Sequence, residues 1–482
     1  MMEDRLSIRE MFALCDIDAS CDAPFPSHLA SDSRDVTPGG AFVALEGERV
    51  DGHSYIGRAI ENGAGLIIGR RGKCPPSLPV PCVELSDPER GLGELAARYV
   101  ERVAPREVIA VTGSVGKTTT REAIRRVLGG RFRLHSAVRS FNTLIGCSLT
   151  ILGMPLNAKI LLLEFGASSM GEIRALTRLF RPTIALITGI APVHLAGFGS
   201  LEGVLRAKMQ IAESDRLRYF LYDSDSPLLQ KAALRLPGLV RTFGVGRKNG
   251  DYRIGETLFQ MENGAPVLSF DLKGPIGRCA CKVGLWGEKL AMPAAMAIAV
   301  GNLAGLSMED CGLALRSFTS LPGRGRVLSL PASGRNRFVV DDAYNANPAS
   351  MRSSLETFAA LRTAGKKFAV LGDMRELGGE EVCYHKELIP VINTLDAAIF
   401  VGSLWKRAFL ESGVFGEFKE PGEFKEKENK HGRWRFVEKW RDAVEALRVN
   451  TDWEGLLIKG SNSLGLENVA GWVSHAPEYV DG

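Results

Sequence analysis

Short apolar runs the length of a β-strand recur along the chain, and stretches with helical periodicity separate them. Over the middle of the sequence these runs occupy 108–111, 160–163 and 184–188. Strands that alternate with helices are typical of a parallel sheet covered by helices. We therefore expect the middle of the chain to form a parallel α/β domain.

A second alternation of the same kind begins after the Pro-Gly-Arg turn at 322–324. Its apolar runs are 338–340, 368–371, 397–401 and 456–458. They predict a further, doubly wound domain. A charge-rich, imperfectly repeated stretch within it, 416–428, is expected to be a solvated surface loop.

The first hundred residues differ, because their apolar runs are separated by Gly, Pro and Asp. Runs at 42–45 and 66–68 predict a small α/β domain there. The length of 482 residues also suits three domains of about 100–200 residues each. The expected fold class is α/β in three domains: a small mixed α/β domain over 1–104, a central parallel-sheet, P-loop ATPase-like domain over 105–321, and a doubly wound, Rossmann-like domain over 322–482.

Composition and charge exclude several classes of protein. The formal charge of +4 arises from 60 basic and 56 acidic residues, which does not give the one-signed field of a nucleic-acid-binding protein. The apolar runs are far shorter than the roughly 20 residues of a membrane span, and the first residues lack the apolar stretch of a signal peptide. We expect a cytoplasmic monomer with no membrane span and no nucleic-acid partner. Nine scattered cysteines are expected to be reduced, structural thiols.

The run at 108–111 breaks into a glycine-containing loop that ends in Lys-Thr. The loop residues are Thr112, Gly113, Ser114, Val115, Gly116, Lys117 and Thr118. Its glycines let backbone N–H groups point at phosphate oxygens, while Lys117 offers a charge and Thr118 a hydroxyl ligand for Mg²⁺. Val111 stands where the usual GxxxxGK[ST] motif has its first glycine, and similar runs occur in ordinary loops. The strand before and the helix after favour a nucleoside triphosphate site.

Two further candidates follow the next two strands. Glu164 comes directly after the run 160–163, at the sheet edge where ligands of α/β proteins bind. A carboxylate there suits Mg²⁺, and the alternative is a structural acid that caps a neighbouring helix. His194 follows the run 184–188 at the same edge, although a single histidine is more often structural than a ligand.

Lys208 lies within the apolar stripe of a helix that begins after Ser200. The residues of this stripe, spaced by three and four, are Leu201, Val204, Lys208 and Ile211. An inward lysine is costly to bury unless it is paired or chemically changed. Carbamylation would make it an anionic oxygen ligand for a second Mg²⁺ near His194. Alternatively it reaches the helix edge and pairs with Glu202 or Glu213, and the sequence does not decide between the two.

These residues together resemble the site of the Mur ligase family, ATP-dependent enzymes that add amino acids to the muramyl peptide of the bacterial cell wall. The resemblance rests on the loop 112–119, Glu164, His194 and Lys208. It implies ATP and two Mg²⁺ ions as cofactors and a carbamylated Lys208. The catalytic residues it implies are Lys117, Glu164, His194 and Lys208, and the metal ligands are Thr118, Glu164, His194 and Lys208.

Other stretches resemble one branch of the family, which joins D-alanyl-D-alanine to UDP-N-acetylmuramoyl-tripeptide. They are 341–351, 371–378 and 459–461 in the expected third domain, and 31–34, 38–39, 42–45 and 51–53 in the first. The likeness runs from about residue 28 to 470 and touches all three expected domains.

That branch activates the terminal carboxylate of the tripeptide as an acyl phosphate, which the amine of D-alanyl-D-alanine then attacks. By resemblance, Arg324 and Asp342 contact phosphate and ribose from the third domain, and Asn345 contacts substrate. The residues expected near the UDP end of the substrate are Ser31, Asp32, Ser33 and Arg34. A site divided between domains implies closure, which excludes water from the acyl phosphate.

Some positions depart from the branch pattern. They are Ser168 and Ser169 in place of an Asn-His pair, Lys289, Leu290 and Pro293 in a helix thought to meet adenine, and Ala196 and Gln210 in place of acids beside the metal site. Two other readings therefore stay open: a sibling ligase that adds a different amino acid, and a nucleotide-binding paralogue without catalysis. The stretch 344–348 is unlike the sibling that installs the third residue, and the retained Lys117 and Lys208 argue against the paralogue.

Overall fold

Three separate β-sheets organise the structure, a computed structural model that describes residues 5–47, 50–137, 140–332, 335–413 and 433–475. The predicted α/β fold in three domains is confirmed, while the exact boundaries between the domains stay predictions. The charged stretch 416–428 lies outside the described residues.

The first domain holds a four-stranded sheet in which neighbouring strands are parallel, in the order β1-β2-β3-β4. Its elements are α1 (Ile8–Ala13), β1 (Leu29–Ala30), β2 (Ala41–Val43), α2 (Ile56–Glu61), β3 (Leu66–Arg70), β4 (Cys82–Leu85) and α3 (Pro88–Val103). Helix α3 begins after the N-cap Asp87, with Pro88 in its first turn, and ends at Ala104 in the left-handed conformation. The proline at 105 disfavours further helix, which explains the break predicted there.

The central domain holds a nine-stranded sheet. Its elements are β5 (Glu107–Thr112), α4 (Lys117–Gly129), β6 (Leu134–Ser136), α5 (Leu144–Leu152), β7 (Ile160–Glu164), α6 (Glu172–Phe180), β8 (Ile184–Ile187), α7 (Leu195–Phe198), α8 (Leu201–Met209), β9 (Tyr219–Asp223), α9 (Pro227–Ala233), β10 (Arg241–Gly246), β11 (Tyr252–Glu262), β12 (Ala265–Lys273), β13 (Arg278–Val283), α10 (Ala291–Leu303) and α11 (Met308–Ala314). Strand β5 lies between β7 and β8, with Val111 opposite Glu164 and Thr112 opposite Ile187. The carboxyl ends of these three strands therefore meet at one edge.

The prediction of a parallel central sheet is confirmed for only part of the sheet. Strands β11, β12 and β13 pair antiparallel and extend the parallel part at one side. Along β13 buried and exposed residues alternate, so that Cys279 and Cys281 face the core. This period of two is typical of a sheet with one solvated face.

The third domain holds a six-stranded sheet in the order β14-β15-β19-β16-β17-β18. Its elements are β14 (Arg326–Ala332), β15 (Arg335–Asp341), α12 (Pro348–Ala360), β16 (Lys367–Gly372), α13 (Glu381–Lys386), α14 (Ile389–Ile392), β17 (Ala397–Val401), α15 (Leu404–Glu411), β18 (Trp434–Val437), α16 (Trp440–Val449), β19 (Gly455–Lys459) and α17 (Glu467–Val473). Only β14 is antiparallel to its neighbour, and the other pairs are parallel.

Around β5, both faces of the central sheet are buried. Val108 and Ala110 pack in a core shared with the first domain, while Ile109 and Val111 pack in a second core with helices α4 and α10. Within the described residues no helix has the length and apolar character to cross a membrane. All nine cysteines are free thiols, as predicted.

Candidate active site

The loop between β5 and α4 is shaped by its two glycines. Gly113 has φ +147° and Gly116 has φ +81°, a region that favours glycine. A Cβ atom at Gly113 would lie 2.2 Å from Oγ1 of Thr188. The backbone N–H of Ser114 donates to the carbonyl of Gly189 at 2.9 Å, and so the loop is tied to the end of β8.

Lys117 opens helix α4 and turns back over this loop. Its Nζ donates to the carbonyl oxygen of Gly113 at 2.8 Å. Burial lowers the pKa of Lys117, the guanidinium of Arg324 lowers it further, and the carboxylate of Glu164 opposes both. The ammonium group thus lies against the loop that the sequence predicts to bind phosphate.

Glu164 is the most buried acid of the site, and side chains from two elements hold its carboxylate. Thr118 Oγ1 donates to its Oε2 at 2.9 Å, and Asn142 Nδ2 donates to its Oε1 at 3.2 Å. Arg121, also buried, lies 3.7 Å from Oε2. These hydrogen bonds come from side chains, as expected of a carboxylate beside the phosphate loop rather than of a helix cap. Sequence reasoning missed Asn142 and Arg121, which follow no apolar run.

His194 stands at the boundary between the second and third domains. Its Nδ1 lies 2.5 Å from Oε2 of Glu376, which belongs to the third domain. Burial lowers the pKa of His194, the Glu376 carboxylate opposes this, and the ammonium groups of Lys208 and Lys117 lower it further. Glu376 lies in the stretch 371–378 that resembles the branch, but it was given no role because the sequence does not show where the third domain meets the second.

Lys208 points inward, whereas the sequence left open whether its ammonium group stays inside or reaches the helix edge. Helix α8 starts at the N-cap Ser200, and the side chain of Lys208 is 1% exposed. Its Nζ lies 3.4 Å from the carbonyl oxygen of Ala167 and 5.3 Å from the ring centroid of Phe198. Burial and the nearby Lys117 lower the pKa of Lys208 to about 7, against a smaller opposing effect of Glu172.

The alternative prediction for Lys208, an ion pair at the helix edge, is wrong. Glu213 instead pairs with Arg174 at 2.6 Å, and Glu202 is exposed to solvent while Lys208 is buried. The lysine is held in the interior beside the metal-site candidates, without either predicted carboxylate partner.

Residues of the third domain form a second polar group. Asp342 Oδ2 lies 2.8 Å from Nζ of Lys459, which also donates to the carbonyl oxygen of Asn345 at 3.1 Å. Arg324 stacks on the ring of Tyr344 at 3.9 Å and reaches Ser140 of the central domain at 3.5 Å. Arg324 therefore reaches the second domain, and its contact with phosphate stays a prediction. Lys459 was named only within the stretch 459–461 and was given no role, although it follows the apolar run 456–458 as Glu164 follows its own.

The predicted substrate residues of the first domain form a local turn. Asp32 accepts hydrogen bonds from the backbone and side chain of Arg34, and Asn62 donates to the carbonyl of Ser33. Ser31 and Arg34 are exposed, whereas Ser33 is buried.

The positions that depart from the branch pattern have local partners. Lys289 lies 3.5 Å from Glu356, and Pro293 lies against the phosphate loop, 3.6 Å from where a Cβ of Gly116 would be. Pro293 therefore packs its ring against the phosphate loop. Ser168 donates its backbone N–H to Glu172 at 3.1 Å.

A further group of possible metal ligands lies in the first domain but is already satisfied. Glu46 and Asp51 form ion pairs with Arg70 and Lys73. His53 Nδ1 lies 2.6 Å from Asp51, and its Nε2 accepts the backbone N–H of Arg70 at 2.9 Å. Both ring nitrogens are therefore occupied, and the group is an ion-pair network.

Comparison with known proteins places these residues in a family. Three family models match: "Mur ligase family, catalytic domain" over 27–100, "Mur ligase middle domain" over 111–301, and "Mur ligase, glutamate ligase domain" over 325–462. The UDP-N-acetylmuramoyl-tripeptide–D-alanyl-D-alanine ligase of Bacillus subtilis is 34% identical over 445 residues, which are 92% of each chain.

Solved structures show the same three-domain fold. MurF from Acinetobacter baumannii has a TM-score of 0.79 at 24% identity and covers 98% of this chain and 100% of its own. MurF from Thermotoga maritima, solved in complex with ADP, has a TM-score of 0.72 at 26% identity, with 93% of this chain and 97% of its own covered. The resemblance to the Mur ligases that the sequence showed is confirmed, and the chain belongs to the Mur ligase family.

Proposed function

We propose that this chain is an ATP-dependent ligase that joins D-alanyl-D-alanine to UDP-N-acetylmuramoyl-tripeptide. The proposal is carried by its 34% identity, over 92% of both chains, with the Bacillus subtilis enzyme of that name. Lys117, Thr118 and Glu164, gathered at one sheet edge, supply the groups that such an enzyme needs for ATP.

The reaction has two steps. A carboxylate oxygen of the tripeptide attacks the γ-phosphorus of ATP, and ADP leaves. The amine of D-alanyl-D-alanine then attacks the carbonyl carbon of the acyl phosphate, the bond from carbon to the phosphate oxygen breaks, and phosphate leaves as the amine loses a proton. In the first step, negative charge spreads over the phosphoryl oxygens. Lys117 and Arg324 lower the barrier of this step because their positively charged side chains lie beside those oxygens.

The backbone of the phosphate loop completes this binding site. Residues 112–118 carry N–H groups around two glycines in positive φ, and helix α4 starts at Lys117. Such a loop at a helix N-terminus binds phosphate through N–H groups and the helix dipole. The same loop positions Lys117 and Thr118.

The residues at this edge fit two Mg²⁺ ions. Thr118 and Glu164 offer hydroxyl and carboxylate oxygens, joined at 2.9 Å, and such hard oxygen donors are the ligands Mg²⁺ prefers. His194 and Lys208 would hold the second ion. When bound, the ions neutralise charge on the phosphate oxygens and orient the γ-phosphoryl group.

Lys208 fits this role only as a carbamate. An ammonium group would repel a cation, whereas a carbamate offers anionic oxygen. The reaction with CO₂ needs the neutral amine, and a pKa lowered to about 7 makes that form abundant at neutral pH. The buried position beside Ala167 and Phe198 also leaves the ammonium form poorly solvated.

The other domains supply the remaining contacts. Asp342 would hold the ribose and Asn345 the substrate, from loops that follow β15. The turn of Ser31, Asp32, Ser33 and Arg34 would receive the UDP end. We place the reaction in the cytoplasm, where ATP and UDP-linked precursors occur, and we expect a monomer to suffice because all of these residues belong to one chain.

Phosphate release by the purified chain tests this proposal. With ATP, Mg²⁺, UDP-N-acetylmuramoyl-tripeptide and D-alanyl-D-alanine, we expect phosphate and one molecule of UDP-linked pentapeptide per turnover. Omission of any one substrate should abolish pentapeptide formation. Turnover with the UDP-linked dipeptide and a diamino acid instead would identify a sibling ligase. Nucleotide binding without turnover of either pair would identify a non-catalytic paralogue.

A further inference from the structure

The loop after β16 is held rigidly by its buried residues. The carboxylate of Asp373 accepts three backbone N–H groups, those of Ser403, Leu404 and Trp405, at 3.0–3.3 Å. The backbone N–H of Met374 donates to Nε2 of His385 at 3.0 Å. The loop is thus anchored to helices α13 and α15, and the side chain of Glu376, two residues after Met374, is exposed.

Glu376 meets the second domain through both its side chain and its backbone. Its Oε2 lies 2.5 Å from Nδ1 of His194, and its carbonyl oxygen accepts the backbone N–H of Leu195 at 3.1 Å. This is a two-point contact between the end of β16 and the start of α7.

Both partners of the contact have an unfavourable backbone conformation. His194 has φ +47° and Glu376 has φ +66°, in the left-handed region that non-glycine residues rarely adopt. Such strain persists where the surroundings hold it, and it concentrates at functional sites. Its occurrence on both sides of one domain contact points to a function for that contact.

The side-chain geometry sets the state of the imidazole. A carboxylate at Nδ1 favours the tautomer with its proton on that nitrogen, and it leaves the lone pair on Nε2. Metal-binding histidines are held in this way, with the second ring nitrogen donating to a carboxylate or carbonyl that fixes the ring.

We propose that Glu376 is a positioning residue that orients His194 for the second Mg²⁺ ion, so that this metal site is complete only when the third domain is docked. This inference rests on the proposed function, which gives His194 its role. The contact between Glu376 and His194 thus links the reaction of ATP to the position of the third domain. The reaction then proceeds when the third domain is docked on the second.

The contact contributes little to stability, and therefore variants should fold. The side chains of Glu376 and His194 are 64% and 37% exposed, and ion pairs this exposed to solvent add little to the free energy of unfolding. A matched control is Glu380, an exposed acid of the same loop whose carboxylate forms no ion pair with the described residues. E380A removes the same charge at a similar place.

The experiment measures binding of Mn²⁺, a probe for Mg²⁺, to the full chain with a non-hydrolysable ATP analogue. We expect E376A to lower the affinity for the second Mn²⁺ ion about tenfold or more. The affinity for the first Mn²⁺ ion should change by less than about twofold. E376Q keeps an acceptor oxygen for Nδ1 and should lie between wild type and E376A. E380A should match wild type.

Hydrogen exchange at Leu195, measured without metal or nucleotide, gives a second readout. The amide should exchange faster in E376A than in wild type and E380A, because the docked contact protects it. Equal affinity for the second Mn²⁺ in wild type and E376A would overturn the proposal, as would an equal loss in E376A and E380A. Failure of pentapeptide formation with these differences intact would contradict the proposed function instead, since the binding experiment contains no tripeptide or D-alanyl-D-alanine.

Discussion

Lys459 places its ammonium group 2.8 Å from the carboxylate of Asp342, and only 2% of the lysine side chain is exposed. Lys459 ends β19 and Asp342 follows β15, and these parallel strands are neighbours in the third sheet. A buried lysine is costly without a carboxylate partner. The pair therefore fixes Asp342 at the carboxyl edge of the third sheet, where we propose that it holds the nucleotide.

Asp342→Ala should weaken ATP binding, although the residue is far along the chain from the phosphate loop. We expect at least a tenfold higher dissociation constant by calorimetry. The variant also leaves Lys459 unpaired, which should lower the free energy of unfolding by about 3 kcal/mol. The double variant D342A/K459M removes the buried charge, and so it should recover stability without recovering ATP affinity. Unchanged ATP affinity in folded D342A would argue against a shared site.

Lys117→Ala should abolish ligation. The loss of a positioned cation beside the transferring phosphoryl group costs about 3 kcal/mol of barrier, which is more than a hundredfold in rate. Initial rates of pentapeptide formation measure this. A folded variant with more than about a tenth of the wild-type rate would show that the loop has been assigned wrongly.

Lys208→Ala should lose activity and regain part of it when a small carboxylate such as formate is added. The added anion would occupy the position vacated by the carbamate. Lys208→Arg should be rescued less, because its permanent cation fills the same space. A carbon-13 signal from labelled CO₂ on Lys208 of the metal-bound protein is expected. Full activity with an unmodified amine would refute carbamylation.

Gly113→Ala should distort the phosphate loop. The new Cβ would lie 2.2 Å from Thr188 Oγ1 at a φ of +147°, and strain of this kind costs about 2 kcal/mol or more. Gly129→Ala is the matched control, because a Cβ there meets nothing within 4 Å. Urea unfolding and ATP titration should show both losses in G113A and neither in G129A. Equal behaviour of the two variants would mean that the loop does not need its glycine.

The local parts of the site could be predicted from the sequence. The strand, phosphate loop and helix around Lys117 follow from neighbouring residues, and Glu164 follows from its place at a strand end. Helical spacing places Lys208 in the apolar stripe of α8, although it does not decide whether the ammonium group stays inside. Each of these depends on contacts within one element or between adjacent parallel strands.

The rest depends on how separate elements pack. Glu376 reaches His194 only because two domains meet, and the pairing of Asp342 with Lys459 needs the order of strands in the third sheet. The antiparallel strands β11 to β13 were missed although their alternation was visible. Cys279 and Cys281 were considered as thiols rather than as alternate positions of a strand.

The central claim is that the tripeptide carboxylate is activated by phosphorylation, and an oxygen-18 experiment tests it most directly. The terminal carboxylate of UDP-N-acetylmuramoyl-tripeptide is labelled, and phosphate from the complete reaction is analysed by mass spectrometry. We predict one labelled oxygen in each phosphate, matched by one pentapeptide formed. Unlabelled phosphate would contradict the account, whether or not pentapeptide is formed.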